Sequence, residues 1–79
     1  MYFGKKVSLN NVNIGQRCVI CQFDVVNIAD KRLADLGFVK GTELFVVGKS
    51  FANATLAIQI RNYILCIRKK QAEKIWVNI

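Results

Sequence analysis

Apolar and polar residues alternate over short distances along most of the chain, a pattern typical of β-strands. Residues 17–23 are rich in β-forming side chains, and residues 43–47 combine β-branched and aromatic bulk. Residues 56–61 alternate so that every second side chain is apolar, and residues 64–68 follow as a partner strand. Residues 75–79 form a last short apolar segment. The pattern predicts about five short strands.

One segment has a helical period instead. Residues 29–36 place Ala29, Leu33 and Leu36 on one helical face, which we expect to lie in the core. The opposite face is charged and consists of Asp30, Lys31, Arg32 and Asp35. This short helix follows the first strand, and elsewhere the sequence predicts only single helical turns.

The ends of this helix carry capping and turn residues. Asn27 or Asp30 can serve as the N-cap. Gly37 stands where a helix ends through a left-handed residue, and Phe38 can fold back on the last turn. Gly41 then predicts a tight turn with positive φ before the next strand.

Other connections are shorter. Asn62-Tyr63 predicts a hairpin turn in which Asn62 takes the positive φ. Residues 1–16 read as irregular, with a short helical turn near residues 8–11, and residues 69–74 predict another single turn. We therefore expect one mainly β domain over residues 1–79, a small, partly open barrel of about five strands with one short helix after the first.

Composition narrows the class of protein. Of 79 residues, 12 are Lys or Arg and 5 are Asp or Glu, which gives a formal net charge of +7. Such a charge attracts nucleic acid, an anionic membrane or an acidic protein surface without choosing among them. The apolar runs are far shorter than the roughly 20 residues that a membrane helix needs. The N-terminal residues show no signal-peptide pattern, so we expect a cytoplasmic protein that does not insert into membranes.

The spacing of Cys18 and Cys21 is one that metal and redox sites use, but their surroundings in the sequence do not favour such a site. Cys18 and Cys21 are three apart on a predicted strand, where their side chains point to opposite faces. Cys66 is the third thiol, and the chain contains no His. We therefore expect no metal site and no cofactor within one chain.

Catalytic chemistry is not indicated either. A chain without His has no side chain that titrates near neutral pH unless its pKa is strongly shifted, and the five carboxylates are well separated in the sequence. Residues 37–41 lack the Lys-Ser/Thr ending of a phosphate-binding loop. A binding module is a better interpretation than an enzyme.

Trp76 is a candidate contact residue. If Ile75 and Val77 face the core, Trp76 must point outward on the same strand. It then either packs under the N-terminal segment, near Tyr2 or Phe3, or anchors an interface.

At this point the chain resembles a known family. Residues 31–46, KRLADLGFVKGTELFV, are similar to the central signature of the FeoA family, a basic helix with Leu-x-x-Leu-Gly followed by a Gly turn and a strand. Residues 15–20 resemble the family's entry to its first strand. Residues 65–68, residues 71–75 and Val77 resemble its C-terminal ending.

The resemblance implies an SH3-like barrel and an accessory role in ferrous iron uptake. The implied partner is the cytoplasmic GTPase region of the membrane transporter FeoB. The helix and the following turn would form or support the contact, and Arg68 could brace it. Together with Trp76, the residues expected to serve partner binding are Lys31, Arg32, Asp35, Gly37, Phe38, Gly41, Arg68 and Trp76.

Two alternatives remain at this stage. A small nucleic-acid-binding barrel would use the net charge of +7 and stack bases on Trp76 and Tyr63. A homodimer could form through exposed strand edges and Trp76, with or without a metal site that shares thiolates of two chains. For the helix, we expect Leu33→Ala or Leu36→Ala to cost about 2–5 kcal/mol of stability.

Overall fold

A computed structural model describes residues 4–50 and 54–79 of the chain. Its regular elements follow in chain order: β1 (Lys6–Ser8), a 3₁₀ turn (Leu9–Asn11), β2 (Arg17–Phe23), α1 (Ile28–Asp35), β3 (Glu43–Ser50), β4 (Thr55–Ile60), β5 (Tyr63–Arg68), α2 (Lys69–Ala72) and β6 (Ile75–Asn78).

The strands form one six-stranded sheet in the order β1-β6-β2-β3-β4-β5. Every neighbouring pair is antiparallel. The registers shift between Ile20 and Gln22 in β2 and between Val46 and Gly48 in β3, and such bulges increase the local twist and bend the sheet. The mainly β fold with one short helix after the first long strand is confirmed.

The sheet contains one strand more than the sequence predicts. β1 has only three residues, and its pairing with β6 sets Val7 opposite Val77. Three residues are too few to show a period, and the partner strand lies at the other end of the chain. The first segment is therefore not as irregular as its sequence indicates.

The core lies on the inner face of the curved sheet. Alternate residues of the central strands are buried, and the 3₁₀ turn, α1 and the following turn contribute further apolar side chains. The largest buried side chains include Leu9, Ile20, Phe38, Leu44, Ile58, Ile60 and Ile75.

The buried face of α1 differs from the prediction. Leu33 is buried as expected, but Ala29 is exposed and Leu36 is 45% exposed. Asp30, expected on the solvent side, is completely buried. The helix is rotated so that an ion-paired carboxylate replaces two apolar side chains in the core.

This rotation changes the expected effect of one substitution. Because Leu36 is 45% exposed, Leu36→Ala should lower the free energy of unfolding by about 1 kcal/mol, roughly half of what burial of a whole leucine side chain contributes. Urea denaturation measures this difference. A loss in the range of 2–5 kcal/mol, as for a core leucine, would contradict the observed orientation of α1.

The local signals at the turns are mostly confirmed. Asn27 is the N-cap of α1, and Gly37 (φ +117°) and Gly41 (φ +93°) take positive φ. In the β4–β5 hairpin, however, Arg61 takes positive φ (+55°) and Asn62 does not, so the prediction for Asn62 is wrong. No helix in the described ranges has both the length and the apolar character to cross a bilayer.

Candidate interaction surface around helix α1

Helix α1 is fixed at its first turn by a buried carboxylate. The Asn27 Oδ1 atom accepts the backbone N–H of Asp30 at 2.8 Å, which caps the helix. The Asp30 carboxylate accepts Lys74 Nζ at 2.9 Å through Oδ1 and at 2.8 Å through Oδ2. It also accepts the backbone N–H of Val26 at 3.2 Å. One side chain therefore joins the loop before α1, the helix itself and the segment before β6.

These contacts set the ionisation of Asp30. The hydrogen bond from Lys74 is the largest effect and lowers the pKa of Asp30 below its ordinary value of 3.8, while burial acts in the opposite direction. The backbone N–H of Val26 lowers the pKa further. Asp30 is therefore a buried anion at neutral pH, and its charge is matched by Lys74.

The last turn of α1 ends in a Schellman motif. The Gly37 N–H donates to the Ala34 carbonyl at 3.0 Å, and the Phe38 N–H donates to the Leu33 carbonyl at 3.1 Å. A Cβ at Gly37 would lie 3.4 Å from Ile60 Cδ1 as well as requiring strained backbone. The motif brings Phe38 back into the core, where its side chain is completely buried.

Two further contacts hold this end of the helix against the sheet. The Tyr63 hydroxyl donates to the Leu36 carbonyl, which links α1 to the β4–β5 hairpin. The turn after Phe38 docks on β2, because the Gly41 N–H donates to the Ile20 carbonyl at 2.7 Å and the Ile20 N–H donates to the Thr42 carbonyl at 2.9 Å. The segment between β2 and β3 is thus anchored at its start and at its end.

This anchored segment exposes apolar side chains. Ile28 is 74% exposed and Val26 is 73% exposed, although both adjoin the buried Asp30 anchor. The exposed large apolar residues of the segment are Val25, Val26, Ile28, Leu36 and Val39. We call these five residues, with the charged side chains Lys31, Arg32 and Asp35, the α1 surface.

The charged residues divide this surface into apolar and polar parts. Lys31 and Asp35 form an exposed i,i+4 ion pair with an Nζ–Oδ2 distance of 3.5 Å. Arg32 is exposed and lies between Ile28 and Leu36 on one face of the helix, since these residues are four apart. Within the described residues no ion pair engages Arg32. Its guanidinium can therefore accept an acidic group from outside the chain.

The residues expected to serve partner binding separate into three sets. Lys31, Arg32 and Asp35 are exposed on α1, and Gly41 is exposed on the following turn. Gly37 and Phe38 are buried, so they can support this surface but cannot provide its contact area.

The remaining two residues lie elsewhere. Arg68 is at the opposite end of β5 from Tyr63, a distance of about 17 Å along an extended strand. Trp76 is exposed on the outer side of β6, opposite Ser8 of β1 and Gln22 of β2. In the described part of the chain, no hydrogen bond or ion pair joins Arg68 or Trp76 to the α1 surface.

Trp76 has a partial cover from its own chain. Lys6 Nζ lies 5.5 Å from the centroid of the Trp76 ring and hydrogen-bonds Gln22 Oε1 at 3.0 Å. The outward orientation of Trp76 is confirmed, and the N-terminal strand lies beside it. Tyr2 and Phe3, the other predicted neighbours, fall outside the described residues.

The thiols do not converge. Cys18 is buried, Cys21 is half-buried and Cys66 is exposed on another strand. Burial raises the pKa of Cys18 to about 12, with the Glu43 charge as a smaller cause, so this thiol is protonated at neutral pH and is a poor metal ligand. Among the described residues, no group of three or more Cys, Asp or Glu side chains is placed to hold a metal ion.

The sequence reasoning missed the apolar part of the α1 surface. Val25, Val26 and Ile28 stand in and beside a predicted loop, where apolar residues have no obvious core partner. Leu36 was assigned to the core. The available signal was the run Val25-Val26, two large apolar residues outside any predicted strand.

Comparisons with known proteins agree on one family. A family model of the FeoA domain matches residues 7–79. A candidate Fe(2+) transport protein A of Campylobacter jejuni is 27% identical over 73 residues, which is 92% of this chain and 99% of that protein.

Solved structures give the same result. A FeoA-like protein from Clostridium acetobutylicum superposes with a TM-score of 0.82 at 29% identity, covering 96% of this chain and 88% of that one. The FeoA protein of Stenotrophomonas maltophilia, solved in complex with zinc and described as an SH3 domain protein, superposes with a TM-score of 0.76 at 25% identity over 91% of this chain and 89% of that one. Since the family model spans nearly the whole chain, the protein belongs to the FeoA family of ferrous iron transport accessory proteins and has an SH3-like fold.

Proposed function

We propose that this chain is a non-catalytic, cytoplasmic protein-binding module that acts on the GTPase region of a FeoB-type ferrous iron transporter through the α1 surface. The observation that carries this proposal is the exposure of Val26 and Ile28 on a segment whose ends are hydrogen-bonded to the sheet. Grouped apolar side chains on a small domain typically mark an interaction site.

The anchoring matters as much as the exposure. Asp30 and Lys74 hold the start of α1, and the Schellman motif and Tyr63 hold its end. A surface fixed in this way loses little conformational entropy when a partner binds, so more of the interaction energy appears as affinity. We expect an apolar contact centred on Ile28 and Leu36, with Arg32 facing an acidic group of the partner.

The distribution of charge agrees with an acidic partner. The chain carries a net charge of +7, which increases the association rate with an anionic surface. The nucleic-acid alternative has less support, because its two aromatic platforms are separated. Tyr63 is on β5 with its hydroxyl bound to Leu36, whereas Trp76 is on β6 beside Lys6.

A titration of the ¹⁵N-labelled chain with the soluble GTPase region of the transporter tests the proposal. We expect saturable amide shifts in residues 25–39, and we expect Arg32→Glu to weaken binding about tenfold or more, as truncation of a central interface arginine does. Lys5→Glu is the matched control, since it makes the same charge change on an exposed lysine away from α1. Both variants should melt at the temperature of the unaltered chain.

The result can also contradict the proposal. Equal losses for Arg32→Glu and Lys5→Glu would show a diffuse charge effect without a specific α1 contact. Shifts confined to residues outside 25–39 would place the contact on another surface. Dimerisation that competes with the transporter fragment would assign the α1 surface to a second copy of this chain.

A further inference from the structure

The two edges of the sheet are protected unequally. β1 has three residues and includes the charged Lys6, whereas β5 has six residues and carries no charge before Arg68. Its sequence Tyr63-Ile64-Leu65-Cys66-Ile67 is continuously apolar. Natural proteins normally shield such an edge with charges, proline or a covering segment, because unpaired backbone groups there readily pair with another strand.

The hydrogen-bonding phase of β5 identifies its open groups. Lys69 N–H donates to the Ala54 carbonyl at 2.8 Å, and each second residue of β5 pairs in the same way with β4. The N–H and C=O groups of Ile64 and Cys66 are therefore directed away from β4. In the part of the chain that the structure describes, no group hydrogen-bonds these two amides.

Two side chains at this edge are accessible to solvent as well. Ile64 is 59% exposed, and Cys66 is also exposed. In the neighbouring strand β4, by contrast, every second side chain is buried. The edge therefore offers two free backbone amides and the apolar side chain of Ile64 on the same exposed strand.

A basic cavity lies at the end of this strand. It has a volume of about 190 Å³ and is lined by Ala54, Arg68, Lys69 and Lys70. A neighbouring cavity of about 210 Å³ adds Lys49 and shares Lys69. None of these cations forms an ion pair with a described residue, so the cavities present uncompensated positive charge.

We propose that the β5 edge binds an extended acidic segment of a partner protein as an additional β-strand. The segment would pair with the backbone of Ile64 and Cys66, and its carboxylates would lie in the basic cavity beside Arg68 and Lys70. Main-chain hydrogen bonds supply the affinity in this recognition mode, and the charges select an acidic sequence. This surface is separate from the α1 surface, so it gives the chain a second contact beyond the proposed function.

Charge complementarity favours this occupant over a second copy of the chain. Antiparallel pairing of two β5 strands about Cys66 would set Arg68 of each copy opposite Ile64 of the other, and it would bring no carboxylate to the basic cavities. Two chains with a net charge of +7 also repel each other. An acidic strand would pair with the free backbone groups of β5 and would also bring carboxylates to the basic cavities.

A peptide titration tests this proposal with the whole chain. The probe is a blocked peptide of alternating valine and threonine that ends in three glutamates, and the control peptide ends in three lysines instead. We expect the glutamate peptide to bind at least about tenfold more tightly than the control, and hydrogen exchange at the amides of Ile64 and Cys66 to slow by at least the same factor. Equal binding of both peptides, or binding without this protection, would overturn the proposal.

Two variants sharpen the test. Cys66→Pro removes an amide that does not bond to β4, which is the position where an edge strand tolerates proline, and it should abolish the protection of Ile64. Lys70→Glu leaves the strand unaltered and should remove most of the preference for the glutamate peptide, so the test remains decisive if the proline variant does not fold. Arg32→Glu is the matched control and should bind the peptide normally.

The same variants separate the two surfaces. If Arg32→Glu lost transporter binding and bound the peptide normally, the result would support the α1 surface. If Lys70→Glu lost peptide binding and bound the transporter normally, the result would support the β5 edge. If sedimentation equilibrium showed concentration-dependent dimers that Cys66→Pro abolishes, the edge would belong to a second copy and the acidic-segment proposal would be wrong.

Discussion

Replacing Lys74 by methionine is expected to lower the free energy of unfolding by about 3 kcal/mol at neutral pH. The substitution leaves the Asp30 carboxylate buried without its cation, and removing one member of a buried ion pair typically costs about 3–5 kcal/mol. The lower end applies here because the Lys74 side chain is 39% exposed, so solvent already screens part of the interaction. Urea denaturation at neutral pH measures the difference.

The loss should depend on pH in a defined direction. In the unaltered chain the pKa of Asp30 is lowered, so the stability linked to it is complete above the unfolded pKa, near 3.8, and is lost as the pH falls through the lower folded value. Without Lys74, burial is the largest remaining effect and acts to raise the pKa of Asp30, against the smaller lowering by the backbone hydrogen bonds of Val26 and Asn27. Protonation then relieves the buried charge on mild acidification, and the difference between variant and unaltered chain should shrink from about pH 7 to about pH 4.

Two controls isolate the ion pair. Lys70→Met removes an exposed lysine of the same segment and should change stability by about 0.5 kcal/mol or less. Asp30→Asn combined with Lys74→Met should be less destabilised than the sum of the two single variants, because the double variant holds no uncompensated charge. A difference that stayed constant with pH, or additive single effects, would show that Lys74 acts through packing and not through Asp30.

This ion pair also explains which part of the helix prediction failed. The period of residues 29–36 located α1 correctly, and Asn27 and Gly37 marked its ends. The helix rotates to bury Asp30 because Lys74, 44 residues away, neutralises it. Hydrophobic periodicity assumes that a carboxylate faces solvent, and no local pattern reveals a distant partner that reverses this preference.

The strands, like the helix, were predicted where their own sequence determines them and missed where a distant segment does. Residues 17–23 coincide with β2, and the other long strands differ from their predictions by a few residues at their ends. β1 pairs only with β6, which lies at the other end of the chain. The three residues of β1 are too few to predict a strand from their own sequence. Arg61 takes the positive φ that Asn62 was expected to take, because the hairpin between β4 and β5 begins one residue earlier.

The candidate interaction surface was predicted from charge and family resemblance, which located its charged residues and not its apolar ones. Lys31, Arg32 and Asp35 are solvent-exposed on one helix, as the pattern indicated. The exposed apolar residues of the α1 surface were either assigned to the core or left in loops, since a sequence does not show which apolar side chains a core has room for. Arg68 lines the basic cavity at the end of β5. This position could be recognised only from the order of strands in the sheet.

The buried position of Phe38 leads to the second large effect. Phe38→Ala is expected to lower the free energy of unfolding by about 4 kcal/mol, the middle of the range for truncation of a buried phenylalanine. The side chain is completely buried, and its own N–H closes the Schellman motif on Leu33. For a domain of this size, whose total stability is about 4–12 kcal/mol, this loss is a large fraction of the total.

Phe38→Leu is a milder variant in which partner binding can still be measured. It should cost about 1–2 kcal/mol, so the domain stays folded and its partner affinity can be determined. Under the proposed function, Phe38 supports α1 only from inside the core, so Phe38→Leu should bind the GTPase region of the transporter as tightly as the unaltered chain. Arg32→Glu should show the opposite combination, with unchanged stability and weakened binding. If Phe38→Leu kept its melting temperature and lost binding, Phe38 would have to leave the core and touch the partner, and the α1 surface would need to be redrawn around it.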